Sequence, residues 1–114
     1  MSPSERDRLT HILEAATDAR DFIQRRLRTD LDTDRQLRRA LIQCFIVIGE
    51  AASHMPAQAR AELPDIPWRE MRKMRNVVVH AYFGVDLDIL WTTATNDLPD
   101  LIDALHRELT KGPA

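Results

Sequence analysis

The chain has 114 residues, which is enough for one domain with a single hydrophobic core, and we predict one domain over residues 1–114. Sixteen Lys and Arg residues against eighteen Asp and Glu give a formal net charge of −2, so the net charge gives no indication of a nucleic-acid partner. The single cysteine, Cys44, excludes an intrachain disulfide, and the longest apolar run, residues 44–48, is too short to span a bilayer. With a charged N-terminal segment and no apolar leader, we expect a cytoplasmic protein without a membrane partner.

The N-terminal segment has the pattern of an amphipathic helix. Ser2 can cap this helix, Pro3 suits its first position, and Glu5 completes a capping box. We expect the helix to end near Arg28, before a charged turn over residues 29–34. Its apolar residues recur with helical periodicity and consist of Leu9, Ile12, Leu13, Ala16, Ile23 and Leu27.

A second helix is predicted to start near Thr33, and it has apolar residues on several sides. Such a helix is typical of the centre of a bundle or of an oligomer interface. We therefore expect the chain to dimerise through the surplus apolar surface. The main stripe consists of Leu37, Leu41, Cys44, Phe45, Ile48 and Ala52, with Ile42, Ile46 and Val47 on other sides.

Two residues near the end of this helix are unusual. Gly49 in the middle of a helix costs about 1 kcal/mol relative to alanine, which predicts close approach of another helix. Glu50 beside it either caps or pairs with a basic residue, or is simply solvated. A short helix is then expected from Pro56 to about Glu62.

The third main helix is predicted to run from Pro67 towards Gly84, and the last helix follows a cap at Asp86. Pro99 should kink this last helix near Thr95, whose carbonyl would lose its hydrogen-bond partner. We predict an all-α, up-and-down bundle of four main helices plus one short helix. The stripe of the last helix consists of Leu87, Leu90, Trp91, Ala94, Leu98, Leu101, Leu105 and Leu109.

Residues 75–82 combine a fixed cation, an amide, an imidazole and a phenol within two helical turns: Arg75, Asn76, His80 and Tyr82. Asn76 and His80 are four residues apart and therefore share one face of a helix. Arg75 and His80 lie roughly 140° apart around the axis. Either the long arginine reaches round, or the helix loosens before Tyr82, or a second subunit supplies the missing group.

These groups can support cleavage of RNA by its own 2′-hydroxyl. His80 titrates near neutral pH and can serve as acid or base. Arg75 can stabilise the extra negative charge on the phosphorane, and Asn76 can orient a phosphate or the imidazole. No metal or other cofactor is needed, and the remaining histidines, His11, His54 and His106, do not form a ligand cluster in the sequence.

The bare spacing of an arginine and a histidine five residues apart is weakly specific. Arg6 and His11 have the same spacing on the N-terminal helix, where nothing else indicates a site. The ordinary interpretation of such a pair is a salt-bridging arginine and a core or capping histidine. The longer string R-N-x3-H-x-Y over residues 75–82, followed by F-G-V-D, is much more selective.

This longer string resembles the HepT-like family of the HEPN superfamily, whose members are toxins encoded beside a minimal nucleotidyltransferase. Three further segments match that family in order: I-G-E-A-A at residues 48–52, P-D-I-P-W at residues 64–68 and D-L-P at residues 97–99. The resemblance therefore extends over nearly the whole chain.

The resemblance implies a homodimer that brings two such motifs to one cleft and acts as a metal-independent endoribonuclease. Arg75 and His80 would be essential, and Asn76 would support them. We add Glu50 as a second supporting candidate, because it lies in the matched I-G-E-A-A segment. The resemblance also implies that a cognate nucleotidyltransferase antitoxin attaches AMP to Tyr82, which would place bulk and negative charge where RNA binds.

Other interpretations remain open at this point. The chain could be a non-catalytic helical subunit that binds a nucleotide or partner within a nucleotidyltransferase complex, or a purely structural dimer. Trp91 is expected in the core and Trp68 as a packing anchor. Six arginines near the first turn form a basic tip: Arg25, Arg26, Arg28, Arg35, Arg38 and Arg39. This tip could bind the RNA backbone, or nearby aspartates could neutralise it, and we favour neutralisation.

Overall fold

A computed structural model describes residues 1–82 and 86–111, with the backbone alone for residues 79–82. These residues form seven helices and no strand, which confirms the all-α bundle. The helices are α1 (Pro3–Ile23), α2 (Asp30–Thr33), α3 (Arg35–Ser53), α4 (Ala57–Glu62), α5 (Trp68–Tyr82), α6 (Leu87–Asn96) and α7 (Leu98–Thr110).

Helix α3 is central in the bundle, as its several apolar faces predicted, because it packs against α1 on one side and α5 on another. Every residue of its main apolar stripe is buried. Ile42, which belongs to the surplus apolar surface predicted on the other sides of this helix, is buried as well. Ile46 stays 37% exposed. The apolar surface left for a partner on this helix is therefore smaller than the sequence indicated.

Helix α1 begins as predicted, with the Ser2 side chain and Glu5 forming a reciprocal capping box. Its predicted end near Arg28 is wrong, because the helix stops at Ile23 and Arg25 adopts a positive φ of 64°. Leu27, which the stripe included, is 69% exposed. The left-handed backbone at Arg25 ends the helical hydrogen-bond pattern, so the last predicted turn does not form.

The charged segment after α1 is ordered by ion pairs rather than being a simple turn. The guanidinium of Arg26 lies 3.2 Å from the carboxylate of Asp30 and 2.6 Å from that of Asp34. Asp34 also caps α3 by accepting the backbone N–H of Leu37, so α3 begins two residues after the predicted Thr33. The short helix α2 lies within this segment.

The predicted last helix is two helices, not one kinked helix. Helix α6 ends at Asn96, Asp97 separates the two, and Pro99 occupies the first turn of α7. Proline has no N–H for a helical hydrogen bond but suits a first turn, so the chain starts a new helix there. Trp91 is only partly buried at the edge of the core, whereas Trp68 is buried and its indole N–H donates to the carbonyl of Leu63 at 2.9 Å.

Candidate active site on helix α5

Helix α5 presents opposite chemistry on its two sides. Its buried residues, which include Met71, Met74 and Val78, recur at spacings of three and four and fix the helix against the core. The residues between them, Arg72, Lys73, Arg75 and Asn76, are exposed. The burial pattern therefore decides which polar groups of the motif reach solvent.

Arg75 lies over Gly49 of α3. A Cβ atom built on Gly49 would overlap the Cγ of Arg75 and would lie 3.2 Å from its Cδ and 3.3 Å from its backbone nitrogen. Any side chain at position 49 would meet these atoms. The close helix approach predicted at Gly49 is confirmed, and the arginine of the motif is the residue that approaches.

The guanidinium of Arg75 is held by two residues that follow Gly49. Its Nη2 lies 2.9 Å from the Oε1 of Glu50, and its Nη1 donates to the Oγ of Ser53 at 3.3 Å. The side chains of Arg75 and Glu50 are 49% and 45% exposed. Glu50 therefore pairs with a basic residue, which the sequence left open, and the arginine remains reachable from solvent.

Ser53 is oriented to accept from Arg75. Its hydroxyl donates to the carbonyl of Gly49 at 2.8 Å, which uses its one hydrogen and leaves its lone pairs for a donor. A guanidinium has five N–H groups, and the contacts to described residues use one on each terminal nitrogen. The remaining N–H groups are free, among the described contacts, to bind an anion.

The imidazole of His54 also contacts Glu50. Its Nδ1 lies 2.7 Å from the carbonyl oxygen of Glu50 and 3.9 Å from the Oε2 of the same residue. Because a carbonyl only accepts, Nδ1 bears the hydrogen. Sequence reasoning missed Ser53 as a partner of Arg75 and His54 as a partner of Glu50, although each follows a residue of the Gly49-Glu50 pair by one helical turn.

The other predicted site residues are only partly described. Asn76 is exposed on α5, and none of the hydrogen bonds between described side chains involves it. His80 and Tyr82 belong to the last turn of α5, but their side chains lie outside the described residues. The structure therefore brings Glu50 to Arg75, and it leaves the expected geometry of Arg75 and His80 as a prediction.

The second arginine–histidine pair of the chain behaves as an ordinary structural pair. A terminal nitrogen of Arg6 donates to the carbonyl of Leu109 at 2.5 Å and ties α1 to the end of α7. His11 lies exposed on the surface of α1. The spacing by itself is thus compatible with a purely structural role, as its recurrence in the sequence indicated.

Comparison with known proteins identifies the chain. The sequence profile of a family described as ribonuclease HepT-like matches residues 12–108. The chain belongs to the HepT-like family. It is accordingly an endoribonuclease of the HEPN type.

Relatives of this HepT-like protein extend over most of its length. A probable ribonuclease HepT from Thermococcus cleftensis is 39% identical over 101 residues, which cover 89% of this chain and 92% of that protein. A putative RNase from Caldanaerobacter subterraneus subsp. tengcongensis is 33% identical, over 90% and 92% of the two chains. A putative RNase from Methanocaldococcus jannaschii is 33% identical, over 82% and 85%. No solved structure matches the chain significantly.

The described part of this HepT-like chain lacks two kinds of feature. Within residues 1–82 and 86–111, no helix is long and apolar enough to cross a membrane. In that same part of the chain, no three His, Cys, Asp or Glu side chains are grouped so that they could hold a metal ion.

Proposed function

We propose that this chain is a metal-independent endoribonuclease that cleaves RNA by attack of the 2′-hydroxyl on the adjacent phosphodiester. His80 either accepts the proton of the 2′-hydroxyl or donates a proton to the leaving 5′-oxygen, and water or the His80 of a second copy of the chain carries out the other transfer. Arg75 stabilises the charge that develops on the non-bridging oxygens. Asn76 orients the phosphate or the imidazole. The bond from phosphorus to the 5′-oxygen breaks, and a 2′,3′-cyclic phosphate remains on the upstream fragment.

The observation that supports this proposal most strongly is the way Arg75 is held. An exposed arginine loses side-chain entropy when it binds an anion, and contacts that order it beforehand reduce this loss. Here the glycine at position 49 admits the aliphatic stem, while Glu50 and Ser53 fix the guanidinium at the surface. This is the arrangement expected of an arginine that binds a substrate phosphate.

The test of this chemistry uses purified protein and end-labelled single-stranded RNA in excess EDTA. We expect cleavage to persist in the chelator, to leave a 2′,3′-cyclic phosphate, and to be lost in His80→Ala and Arg75→Ala. The matched control is the second pair, since Arg6→Ala and His11→Ala should retain activity. Equal activity of wild type and His80→Ala would refute the assignment, and loss of cleavage in EDTA would refute metal independence.

We also propose that the active form is a homodimer in which two copies of α5 face one cleft. The angular separation of Arg75 and His80 along one helix favours a site completed by a second copy. The partly exposed Ile46 on α3 offers apolar surface for such contact. Sedimentation equilibrium of the purified protein should give twice the chain mass, and a monomer that cleaves RNA at full rate would refute this proposal.

Finally, we propose that the chain is the toxin of a toxin–antitoxin pair and that a partner nucleotidyltransferase neutralises it by attaching AMP to Tyr82. The added phosphate would repel an RNA phosphate from the same helix end. Expression alone should arrest growth, and co-expression with the neighbouring gene should relieve the arrest and add the mass of one or more AMP groups. Relief without added mass on Tyr82 would refute the modification but not the ribonuclease.

A further inference from the structure

Many basic residues of this protein are concentrated in two places, at the tip between α1 and α3 and on helix α5. At the tip formed by the end of α1 and the start of α3, Arg26 pairs with Asp30 and Asp34, and Arg28 pairs with Asp32 and Asp88. Their pKa values are raised, chiefly by hydrogen bonds to Asp34 and Asp88 respectively. The expectation that aspartates neutralise this tip is therefore confirmed for these two residues, but Arg25, Arg35 and Arg39 are exposed and make no salt bridge with a described residue.

Three of the four Lys and Arg residues of α5 have no such partners, whereas Arg75 pairs with Glu50. Arg69, Arg72 and Lys73 are exposed, and none of them makes a salt bridge with any residue that the structure describes. Glu70 is the one acidic residue of this helix. Three cations in five residues therefore reach solvent without an ion pair among the described residues, although Lys73 is near enough to Asp97 for its charge to oppose the rise in the pKa of that carboxyl.

These cations lie on the face of α5 that points away from the core. Arg72 follows Arg69 by three residues and precedes Asn76 by four, so the three are neighbours along one side of the helix, with Lys73 at its edge. We call Arg69, Arg72 and Lys73 the basic stripe. At 1.5 Å per residue, the axial distance from residue 69 to position 80 is about 16 Å. The basic stripe therefore leads directly to the proposed catalytic end of the helix.

We propose that the basic stripe binds the phosphate backbone of single-stranded RNA beyond the cleaved linkage, so that the substrate lies along α5. This inference rests on the proposed ribonuclease function for its substrate. A convex helix cannot enter the deep, narrow major groove of duplex RNA, whereas a flexible single strand can follow it. Because the contacts are cationic and no exposed aromatic side chain is described on α5, binding is governed by salt and tolerates many sequences.

The test compares two triple variants with the same change of net charge. One removes the basic stripe by Arg69→Gln, Arg72→Gln and Lys73→Gln. The control replaces three exposed tip arginines that make no described salt bridge; its substitutions are Arg25→Gln, Arg35→Gln and Arg39→Gln. Both are measured by fluorescence anisotropy with a fluorescein-labelled mixed-sequence oligoribonucleotide whose 2′-hydroxyls are methylated, so that it binds without being cleaved, between about 50 and 200 mM KCl.

We expect the stripe variant to flatten the slope of log affinity against log salt by about 2, since each phosphate contact on a single strand contributes roughly 0.7. The control should keep the wild-type slope. In cleavage assays, the stripe variant should raise KM and leave kcat nearly unchanged, because its residues contact RNA away from the reacting phosphate. A paired RNA hairpin of the same length should bind more weakly and show no difference between the variants.

Equal slopes for the stripe and control variants would overturn the inference, since overall charge would then explain binding. It would also be overturned if the stripe variant bound RNA normally but failed to bind the neutralising protein partner. Binding is measured independently of turnover, so failure of the cleavage chemistry would leave this result interpretable. A normal slope with loss of kcat would refute the stripe while leaving the ribonuclease intact.

Discussion

The contact between Gly49 and Arg75 predicts that alanine at position 49 changes stability in opposite directions depending on residue 75. In the wild-type background, the new methyl group would overlap the Cγ of Arg75. The arginine stem leaves the helix surface near its own backbone, so it cannot move aside as freely as a side-chain tip. With Arg75→Ala, the Cγ and Cδ are absent and only the backbone nitrogen at 3.3 Å stays close.

The magnitude follows from two opposing effects. Alanine stabilises a helix interior by about 1 kcal/mol relative to glycine. Overpacking by one methyl group typically costs about 1–3 kcal/mol. Gly49→Ala should therefore lower the free energy of unfolding by about 0–2 kcal/mol in wild type and raise it by up to about 1 kcal/mol in Arg75→Ala. The coupling between the two sites should be about 1–3 kcal/mol.

The assay is a double-mutant cycle by urea unfolding at one fixed protein concentration, because the proposed dimer would make stability depend on concentration. Arg72 provides the control, since it is an exposed arginine one turn away on the same helix. The cycle of Gly49→Ala with Arg72→Ala should show no coupling. If Gly49→Ala has the same effect in both Arg75 backgrounds within about 0.5 kcal/mol, the argument that glycine admits the arginine stem is refuted.

Three further predictions follow from single contacts. Ser53→Ala should lower kcat/KM roughly two- to tenfold, because it removes one hydrogen bond to Arg75. The control Thr95→Ala removes a similar hydroxyl bond to a helix carbonyl, but Thr95 has no described bond to an arginine, so kcat/KM should stay unchanged. Equal effects of the two substitutions would contradict the role of Ser53 in ordering Arg75. Burial and, after it, two nearby carboxylates raise the pKa of Asp97, so the ionised form of this residue destabilises the fold. Asp97→Asn should therefore raise the urea midpoint of unfolding at pH 7, and this gain should shrink as the pH falls and wild-type Asp97 becomes protonated. A gain that does not depend on pH would contradict this cause. Burial raises the pKa of the Cys44 thiol to about 11. At pH 8, the native protein should therefore react with iodoacetamide far more slowly than the urea-unfolded protein. Equal reaction rates would contradict the burial of Cys44.

The sequence by itself determined several local features of this protein and its family. The capping box at Ser2 depends on residues within one turn of the chain, and the buried stripe of α3 depends on helical periodicity, so both could be predicted from the sequence. The family could be recognised from the motif string because a functional site constrains residue types at fixed spacings. Gly49 indicated a close helix approach because glycine is otherwise unfavourable inside a helix.

Tertiary structure decided which residues meet. The partner of Glu50 is 25 positions later in the chain, and only the packing of α5 on α3 brings Arg75 to it and to Ser53. The early end of α1 at Ile23 goes with the left-handed backbone at Arg25, which helical periodicity does not predict. Sequence patterns report local periodicity and residue chemistry, whereas contacts between distant helices depend on how their apolar faces pack together.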